Sequence, residues 1–249
     1  MFKKQVVILQ EELQKHADTK TKAWWENYVK GSAPFLGVKM PVVRRVVHQW
    51  HQEYVDGRLE IAQQVDLALT LFEGLYTEDK LAGTLFLQEI LLPAGALSWQ
   101  RDVYRFARLF DDGRIYDWNV CDWFCVKVLG SLIKENDLAC AERVASWQRA
   151  ENLWRARASL VAFVPVAGNE RCYPLVATAC ESVIARPERF AKTAVGWILR
   201  EISKYDELFV VQVLKNNIQD FSAESLKNAT KYFSKEEQQQ YRVMRKNAG

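Results

Sequence analysis

Two short segments carry side chains suited to stabilising positive charge. Trp118 and Asp122 are four residues apart, and Trp197 and Arg200 are three apart. On an α-helix either spacing places both side chains on one face, about one turn apart. An indole face attracts cations and packs against C–H groups, and a carboxylate can stabilise developing positive charge or orient water. Each pair alone is also compatible with a tryptophan in the core and a solvated charged residue.

A third segment, Trp154-Arg155-Ala156-Arg157-Ala158, supplies two arginines. Because Arg155 and Arg157 are two residues apart, they cannot share a helix face, and at most one of them points to a common surface. Arginine binds phosphate by bidentate, charge-assisted hydrogen bonds, so this segment could contribute one anion contact. Gly196 stands inside a helical pattern at a cost of roughly 1 kcal/mol relative to Ala, which predicts the close approach of a neighbouring element.

The elements that must position these residues are predicted to be helices. Apolar residues recur at i, i+3, i+4 and i+7, as in Val6-Leu9-Leu13 and Ile61-Val65-Leu69-Phe72, and turns such as 92–95, 111–113 and 185–187 end such runs. We predict roughly a dozen helices and no strands, in pairs recurring about every 35 to 40 residues. That period predicts an all-α, HEAT-like helical-repeat solenoid with a concave face. With no Pro-, Gly- or Ser-rich linker, residues 1–249 are predicted to form one domain.

The charges divide unevenly along the chain. The net charge is +3, but residues 1–142 hold 17 basic and 20 acidic residues (net −3), and residues 143–249 hold 17 and 11 (net +6). This division predicts a basic surface that meets a polyanion, although a solvated helical surface would give the same count.

Other residue types exclude several function classes. The five cysteines are odd in number, form no CxxC pair and lie in apolar helical patterns, which predicts buried thiols in a reducing compartment. The three histidines lie far from any Cys or acid cluster, so neither metal nor cofactor is expected. The sequence contains neither a cluster of metal-binding acids nor a glycine-rich phosphate loop, which argues against a nuclease or a phosphotransferase. The N-terminal apolar run meets charge again at Glu11, which predicts a cytoplasmic protein without a signal peptide or membrane span.

Six segments, in this order, resemble the AlkD-type DNA alkylation repair glycosylases. They are Tyr28-Val29-Lys30, Phe35-Leu36-Gly37-Val38, Pro41-x-x-Arg44, Trp118-x-x-x-Asp122, Trp154-Arg155-Ala156-Arg157-Ala158 and Gly196-Trp197-Ile198-Leu199-Arg200-Glu201. The match runs from about Ala23 to Lys231. The resemblance implies a HEAT-like solenoid whose concave basic face holds duplex DNA, and hydrolysis of the N-glycosidic bond of positively charged N3- or N7-alkylated purines. It also implies base excision repair without turning the base into a tight pocket.

The resemblance further implies a role for each residue. Asp122, Trp118 and Trp197 match the family's catalytic cluster. Arg157 and Arg200 match its DNA-backbone contacts, and Tyr28 matches a contact near the lesion. The expected partner is double-stranded DNA with alkylated bases, bound by a cofactor-free monomer that is nucleoid-associated when acting. Because an alkylated purine already carries positive charge, it can leave without protonation, and one carboxylate can then stabilise the sugar cation and deliver water.

Two departures and two alternatives accompany this interpretation. Asn119 follows Trp118 where the family commonly has Asp, and the acid is displaced to Asp117. Trp123 beside Asp122 either narrows the site or packs away from it. One alternative is a non-catalytic HEAT-like protein that binds damaged or branched DNA. The other is a protein-interaction scaffold, against which the basic C-terminal part argues.

Overall fold

The computed structural model describes residues 2–136 and 138–248, and none of these residues lies in a strand. Fifteen α-helices account for most of them, which confirms the predicted all-α class. The chain divides into two compact units, Met1–Val128 and Leu129–Gly249. The single domain and the concave basic face stay predictions.

The first unit contains seven α-helices, with a π-helical turn at Leu87–Leu91. Their bounds are α1 Lys3–Gln14, α2 Thr19–Tyr28, α3 Met40–Tyr54, α4 Ile61–Leu71, α5 Thr77–Phe86, α6 Trp99–Asp111 and α7 Trp118–Phe124. A second π-helical turn, Cys125–Leu129, follows α7.

The second unit contains eight α-helices among its described residues. Their bounds are α8 Gly130–Glu135, α9 Leu138–Ala145, α10 Leu153–Val161, α11 Tyr173–Ile184, α12 Arg189–Ile202, α13 Glu207–Asn217, α14 Ala223–Ala229 and α15 Lys235–Ala248. Short 3₁₀ turns separate several of them, at Ser146–Arg149, Val164–Val166, Glu170–Cys172 and Ile218–Asp220.

Phenylalanine rings fix helix α7 in the core of the first unit. The ring of Phe124, in the last turn of α7, is fully buried and meets three other rings edge-on, those of Phe72 at 5.7 Å, Phe106 at 5.2 Å and Phe110 at 6.1 Å. Edge-to-face pairs contribute about 0.5–1.5 kcal/mol each beyond the area they bury. The C-terminal end of α7 is therefore anchored, and the face of α7 that carries Trp118 and Asp122 is oriented by this packing.

Close backbone packing fixes helix α12 in the second unit. A Cβ atom on Gly196 would lie 2.6 Å from the backbone oxygen of Ser225, in α14. Only glycine leaves room for this approach, which offsets its cost in a helix interior. The predicted close approach of a neighbouring element at Gly196 is confirmed.

The five cysteines are all free and buried, which confirms the predicted buried thiols. The Sγ atoms of Cys121 and Cys125 lie 3.9 Å apart, one turn apart in sequence. Within the described part of the chain, no helix is both long and apolar enough to cross a membrane.

Candidate functional site

Helix α7 carries Trp118 and Asp122 as the sequence predicts. Both residues lie on this one helix, and both side chains are partly exposed, whereas Val120, Cys121 and Phe124 are buried. The four-residue spacing places the indole and the carboxylate on the same face. The structure therefore brings these two predicted catalytic residues together at the surface of the first unit.

Asp117, the acid displaced in sequence, caps the N-terminus of α7. One carboxylate oxygen, Oδ1, accepts hydrogen bonds from the backbone N–H groups of Asn119 at 2.8 Å and Val120 at 3.2 Å. The residue is almost fully buried, and Oδ2 has no partner within the described residues. Burial raises the pKa of this carboxyl, while the two backbone hydrogen bonds act in the opposite direction. Asp117 thus sets where α7 begins, directly before Trp118.

An aromatic cluster surrounds Trp118 in the first unit. Its ring meets that of Tyr28 edge-on, with 5.6 Å between centroids. Tyr28 in turn stacks nearly parallel on Trp24, at 5.2 Å and 8°, and both of these side chains are more than half exposed. Trp25 stacks on the buried Phe35 at 5.6 Å. The structure therefore joins Tyr28, the predicted DNA contact, to the predicted catalytic tryptophan.

A buried glutamate holds the loop beside this cluster. The carboxylate of Glu78 accepts hydrogen bonds from three successive backbone N–H groups, those of Leu36 (2.9 Å), Gly37 (2.8 Å) and Val38 (3.0 Å). Gly37 has a φ of +88°, and a Cβ there would lie 2.2 Å from the backbone oxygen of Asp18. Charge-assisted bonds of this kind are shorter and stronger than neutral ones. The loop that supplies Phe35 to the aromatic cluster is thus fixed by the Glu78 carboxylate.

Asn119 and Trp123 of α7 both line a small cavity of about 60 Å³, together with Trp25 and Glu78. Asp122 does not line this cavity. The indole N–H of Trp123 donates to Gln88 Oε1 at 2.9 Å. The structure therefore packs Trp123 against Gln88 and this cavity.

In the second unit, one face of α12 carries Trp197 and Arg200. Phe190, Thr193, Trp197 and Arg200 follow helical spacing, and all four are partly exposed, whereas Ala194, Ile198 and Leu199 are buried. Trp154 of α10 packs its ring against Phe190, with 5.1 Å between centroids. The two predicted residues of α12 therefore share a half-exposed stripe.

Arg157 reaches the same stripe but is itself buried. Its side chain is only 4% exposed, and Nη1 donates to the backbone oxygen of Phe190 at 2.7 Å and to Thr193 Oγ1 at 3.1 Å. The guanidinium therefore links α10 to the N-terminal part of α12. The predicted contact of Arg157 with a DNA phosphate requires this group to become accessible.

Arg200 is partly exposed and is held by polar neighbours. Nε and Nη2 donate to Glu201 Oε1, at 2.8 and 2.6 Å, and Nη1 donates to Asn228 Oδ1 at 3.1 Å. Glu201 also pairs with Lys204. Burial alone would raise the pKa of Glu201, but the hydrogen bonds from Lys204 and Arg200 outweigh it and lower the pKa. Glu201 is therefore an ionised carboxylate that holds the side chain of Arg200, the predicted DNA contact.

Two contributors to this region, Trp24 and Glu78, were not singled out from the sequence, and Asp117 was noted without its role as a helix cap. Trp24 extends the ring stack, Glu78 fixes the loop, and Asp117 caps α7. Asp117 had a recognisable signal, because an Asp directly before a helical run is a preferred N-cap. Glu78 had none, since the run Thr77–Lys80 resembles a solvated turn in sequence and yet all four residues are buried. Across residues 2–136 and 138–248, no three His, Cys, Asp or Glu side chains are grouped to hold a metal ion.

The all-helical architecture and the two helix faces define a class of helical protein that presents aromatic, acidic and basic side chains from helix surfaces. A family model described as "DNA alkylation repair enzyme" matches residues 9–233. This match covers most of the chain, and the protein therefore belongs to the DNA alkylation repair enzyme family. The resemblance seen in the sequence is confirmed at the level of the family.

A solved structure gives independent support for the fold. The predicted DNA alkylation repair enzyme from Enterococcus faecalis superposes with a TM-score of 0.73 at 19% sequence identity. The superposition covers 88% of this chain and 98% of that one. No curated protein sequence matches this chain.

Proposed function

We propose that the protein is a DNA glycosylase that hydrolyses the N-glycosidic bond of positively charged N3- or N7-alkylated purines in duplex DNA. Membership of the DNA alkylation repair enzyme family makes alkylated DNA the expected substrate. The observation that carries the choice of reaction is the partly exposed pair of Trp118 and Asp122 on one face of α7, beside the aromatic cluster.

Asp122 supplies the chemistry in this proposal. An alkylated purine leaves as a neutral base, because its positive charge is lost when the glycosidic bond breaks. The sugar then carries positive charge, which a nearby carboxylate stabilises, and the same carboxylate can orient the attacking water. Neither a general acid nor a metal is needed for this step.

The aromatic residues bind the cationic base and the sugar. Trp118 and Trp197 each present a partly exposed indole on a helix face. An indole contact with a cation contributes about 0.5–2 kcal/mol, depending on how far it is desolvated. Such contacts favour cationic lesions over neutral bases, and Tyr28, more than half exposed, contacts DNA beside the lesion.

The arginines position the DNA backbone. Arg200 contacts a phosphate by exchanging Glu201 for it, and Arg157 does the same by giving up its bonds to α12. Phosphate contacts fix the register of the damaged nucleotide but read no sequence. The protein therefore recognises charge and position rather than a base sequence.

The direct test is the release of free bases from methylated duplex DNA. We expect N3- or N7-methylpurines to appear faster with the protein than in its absence, as measured by chromatography of the supernatant. Release no faster than the spontaneous rate at saturating protein would contradict the proposal. If such a protein still bound the damaged duplex, the non-catalytic alternative would replace it.

Asp122→Asn tests the assigned role of the carboxylate. Removing one electrostatic stabiliser typically lowers a rate by about 10²–10³-fold, and we expect that loss in single-turnover excision with DNA affinity unchanged. Asp56→Asn, at an exposed position in the same unit, is the matched control and should excise at the wild-type rate. Wild-type excision by Asp122→Asn would remove Asp122 from the mechanism.

A further inference from the structure

A groove on the second unit lies between α14 and α15, outside the residues discussed so far. It has a volume of about 480 Å³. Leu226 and Val243 contribute an apolar floor, and Val243 is 45% exposed. Four cationic side chains line the groove, and they are Lys227, Arg242, Arg245 and Lys246.

Helical spacing explains why these cations lie close together. Arg242, Arg245 and Lys246 stand at i, i+3 and i+4, so they share one face of α15. Lys227 projects from α14 and lines the same groove. Like charges gathered in this way repel one another unless an anion lies between them.

The cations of the groove differ from other cations of the second unit in lacking acidic partners. Arg186 pairs with Glu188, Arg189 with Glu224, and Arg200 and Lys204 share Glu201. By contrast, no ion pair links a groove cation to an acidic side chain within residues 2–136 and 138–248. The groove is therefore a concentrated and uncompensated positive surface.

Helix α14 connects this groove to the candidate site. On one side it packs closely against α12, where Ser225 meets Gly196, and Asn228 accepts a hydrogen bond from Arg200. On the other side it supplies Leu226 and Lys227 to the groove. The groove is thus one helix away from Arg200, within the same unit.

The match to the family covers only one side of this groove. The family model ends at residue 233, so it includes Leu226 and Lys227 of α14, whereas α15 begins at Lys235 and holds three of the four cations. Most of the positive charge of the groove therefore lies outside the matched region.

We propose that this groove binds the phosphate backbone of duplex DNA, as a second anchor separate from the residues that act on the lesion. This inference rests on the proposed function for the identity of the polyanion. Phosphates neutralise the four cations, and the apolar floor accepts the C–H groups of deoxyribose. Such contacts are independent of sequence and of damage, so they raise affinity for any duplex.

The salt dependence of binding to undamaged duplex DNA tests the groove. Each cation that contacts a phosphate adds about 1 to the slope of log affinity against log salt concentration. We expect the double variant Arg242→Gln/Lys246→Gln to lower this slope by about 2. Both side chains are exposed, and circular dichroism should show unchanged helix content. The matched control is Lys3→Gln/Lys4→Gln, which removes the same net charge from exposed positions on α1 and should leave the slope unchanged.

Each outcome bears on the groove separately from the chemistry. A slope that falls in the groove variant and not in the control supports the anchor, even if no base is released from methylated DNA. An equal slope in wild type and groove variant overturns the anchor and points to a different occupant such as an acidic protein segment, even if bases are released. An equal fall in the control variant also overturns it, because the effect would then be one of net charge alone.

Discussion

In the first unit, Trp118 and Tyr28 are held by ring packing, whereas in the second unit Arg157 and Arg200 are held by hydrogen bonds to the protein itself. The aromatic cluster of Trp24, Tyr28 and Trp118 is formed and partly exposed in the protein alone. The arginines are instead bonded to a backbone oxygen, a hydroxyl, an amide and a carboxylate.

This difference follows from what each residue type needs in the absence of DNA. Leaving an aromatic ring exposed beside other rings costs little free energy, because the ring has no charge that needs a partner. Its exposed surface remains open to contact. A partly or fully buried guanidinium must have hydrogen-bond acceptors, because an uncompensated charge there is costly. The first unit therefore presents exposed rings, whereas Arg157 and Arg200 of the second unit could bind a phosphate only by exchanging their present partners.

The largest effect is expected from Arg157→Ala. Because Arg157 is buried and links α10 to α12, its loss should lower the free energy of unfolding by roughly 2–4 kcal/mol, through lost charged hydrogen bonds and the space left behind. Urea denaturation measures this change. Arg171→Ala, at an exposed position in the same unit, is the control and should change stability little. If Arg157→Ala kept wild-type stability but lost DNA affinity, the structural role of Arg157 would be wrong.

A smaller effect is expected at the N-cap of α7. Asp117→Ala removes the acceptor for Asn119 and Val120 and should cost about 1 kcal/mol of stability. Asp117→Asn keeps an acceptor oxygen without a buried charge, so at neutral pH it should be at least as stable as the wild type. Thermal unfolding of the three proteins measures this order.

The pH dependence of the same variants gives a second readout. Burial raises the pKa of Asp117 above its value in the unfolded chain, so the protonated carboxyl is favoured in the folded protein. The wild type should therefore gain stability relative to Asp117→Asn as the pH falls through this raised pKa, with the full gain present below the pKa of the unfolded chain. A difference that does not change with pH would show that Asp117 is not a buried titrating group.

The smallest effect on stability, under about 1 kcal/mol, is expected from Glu201→Gln, because its pairs with Arg200 and Lys204 are partly exposed. DNA binding should respond more clearly. Without the Glu201 carboxylate, Arg200 is available to bind phosphate. The slope of log affinity for duplex DNA against log salt concentration should therefore steepen by about 1. Glu207→Gln, an exposed acid on α13, makes the same charge change and should have less effect. Equal slopes in both variants would mean that Glu201 does not restrain Arg200.

The helix faces could be predicted from sequence because helical spacing is local. Four residues separate Trp118 from Asp122 and three separate Trp197 from Arg200, so each pair shares a face whatever surrounds it. Gly196 was likewise informative, because a glycine inside a helical pattern indicates a neighbouring element so close that no side chain would fit between them. The family resemblance added the expected chemistry. The family match confirms the family, and the excision of bases stays a proposal that the assays above test.

Burial and partner choice were decided by the tertiary structure. Sequence alone left Arg155 and Arg157 as alternatives for one surface position, and it gave no reason to bury Arg157 or Glu78. Their environments depend on α12 and on the loop at 36–38, both distant in sequence. The packing of Trp123 was likewise decided by Gln88 and the small cavity, which the sequence does not reveal. Residue types and helical periodicity thus determined which side chains share a face. Long-range packing decided which of those side chains are exposed and which are hydrogen-bonded within the protein, because solvation and hydrogen bonding depend on neighbours from other helices.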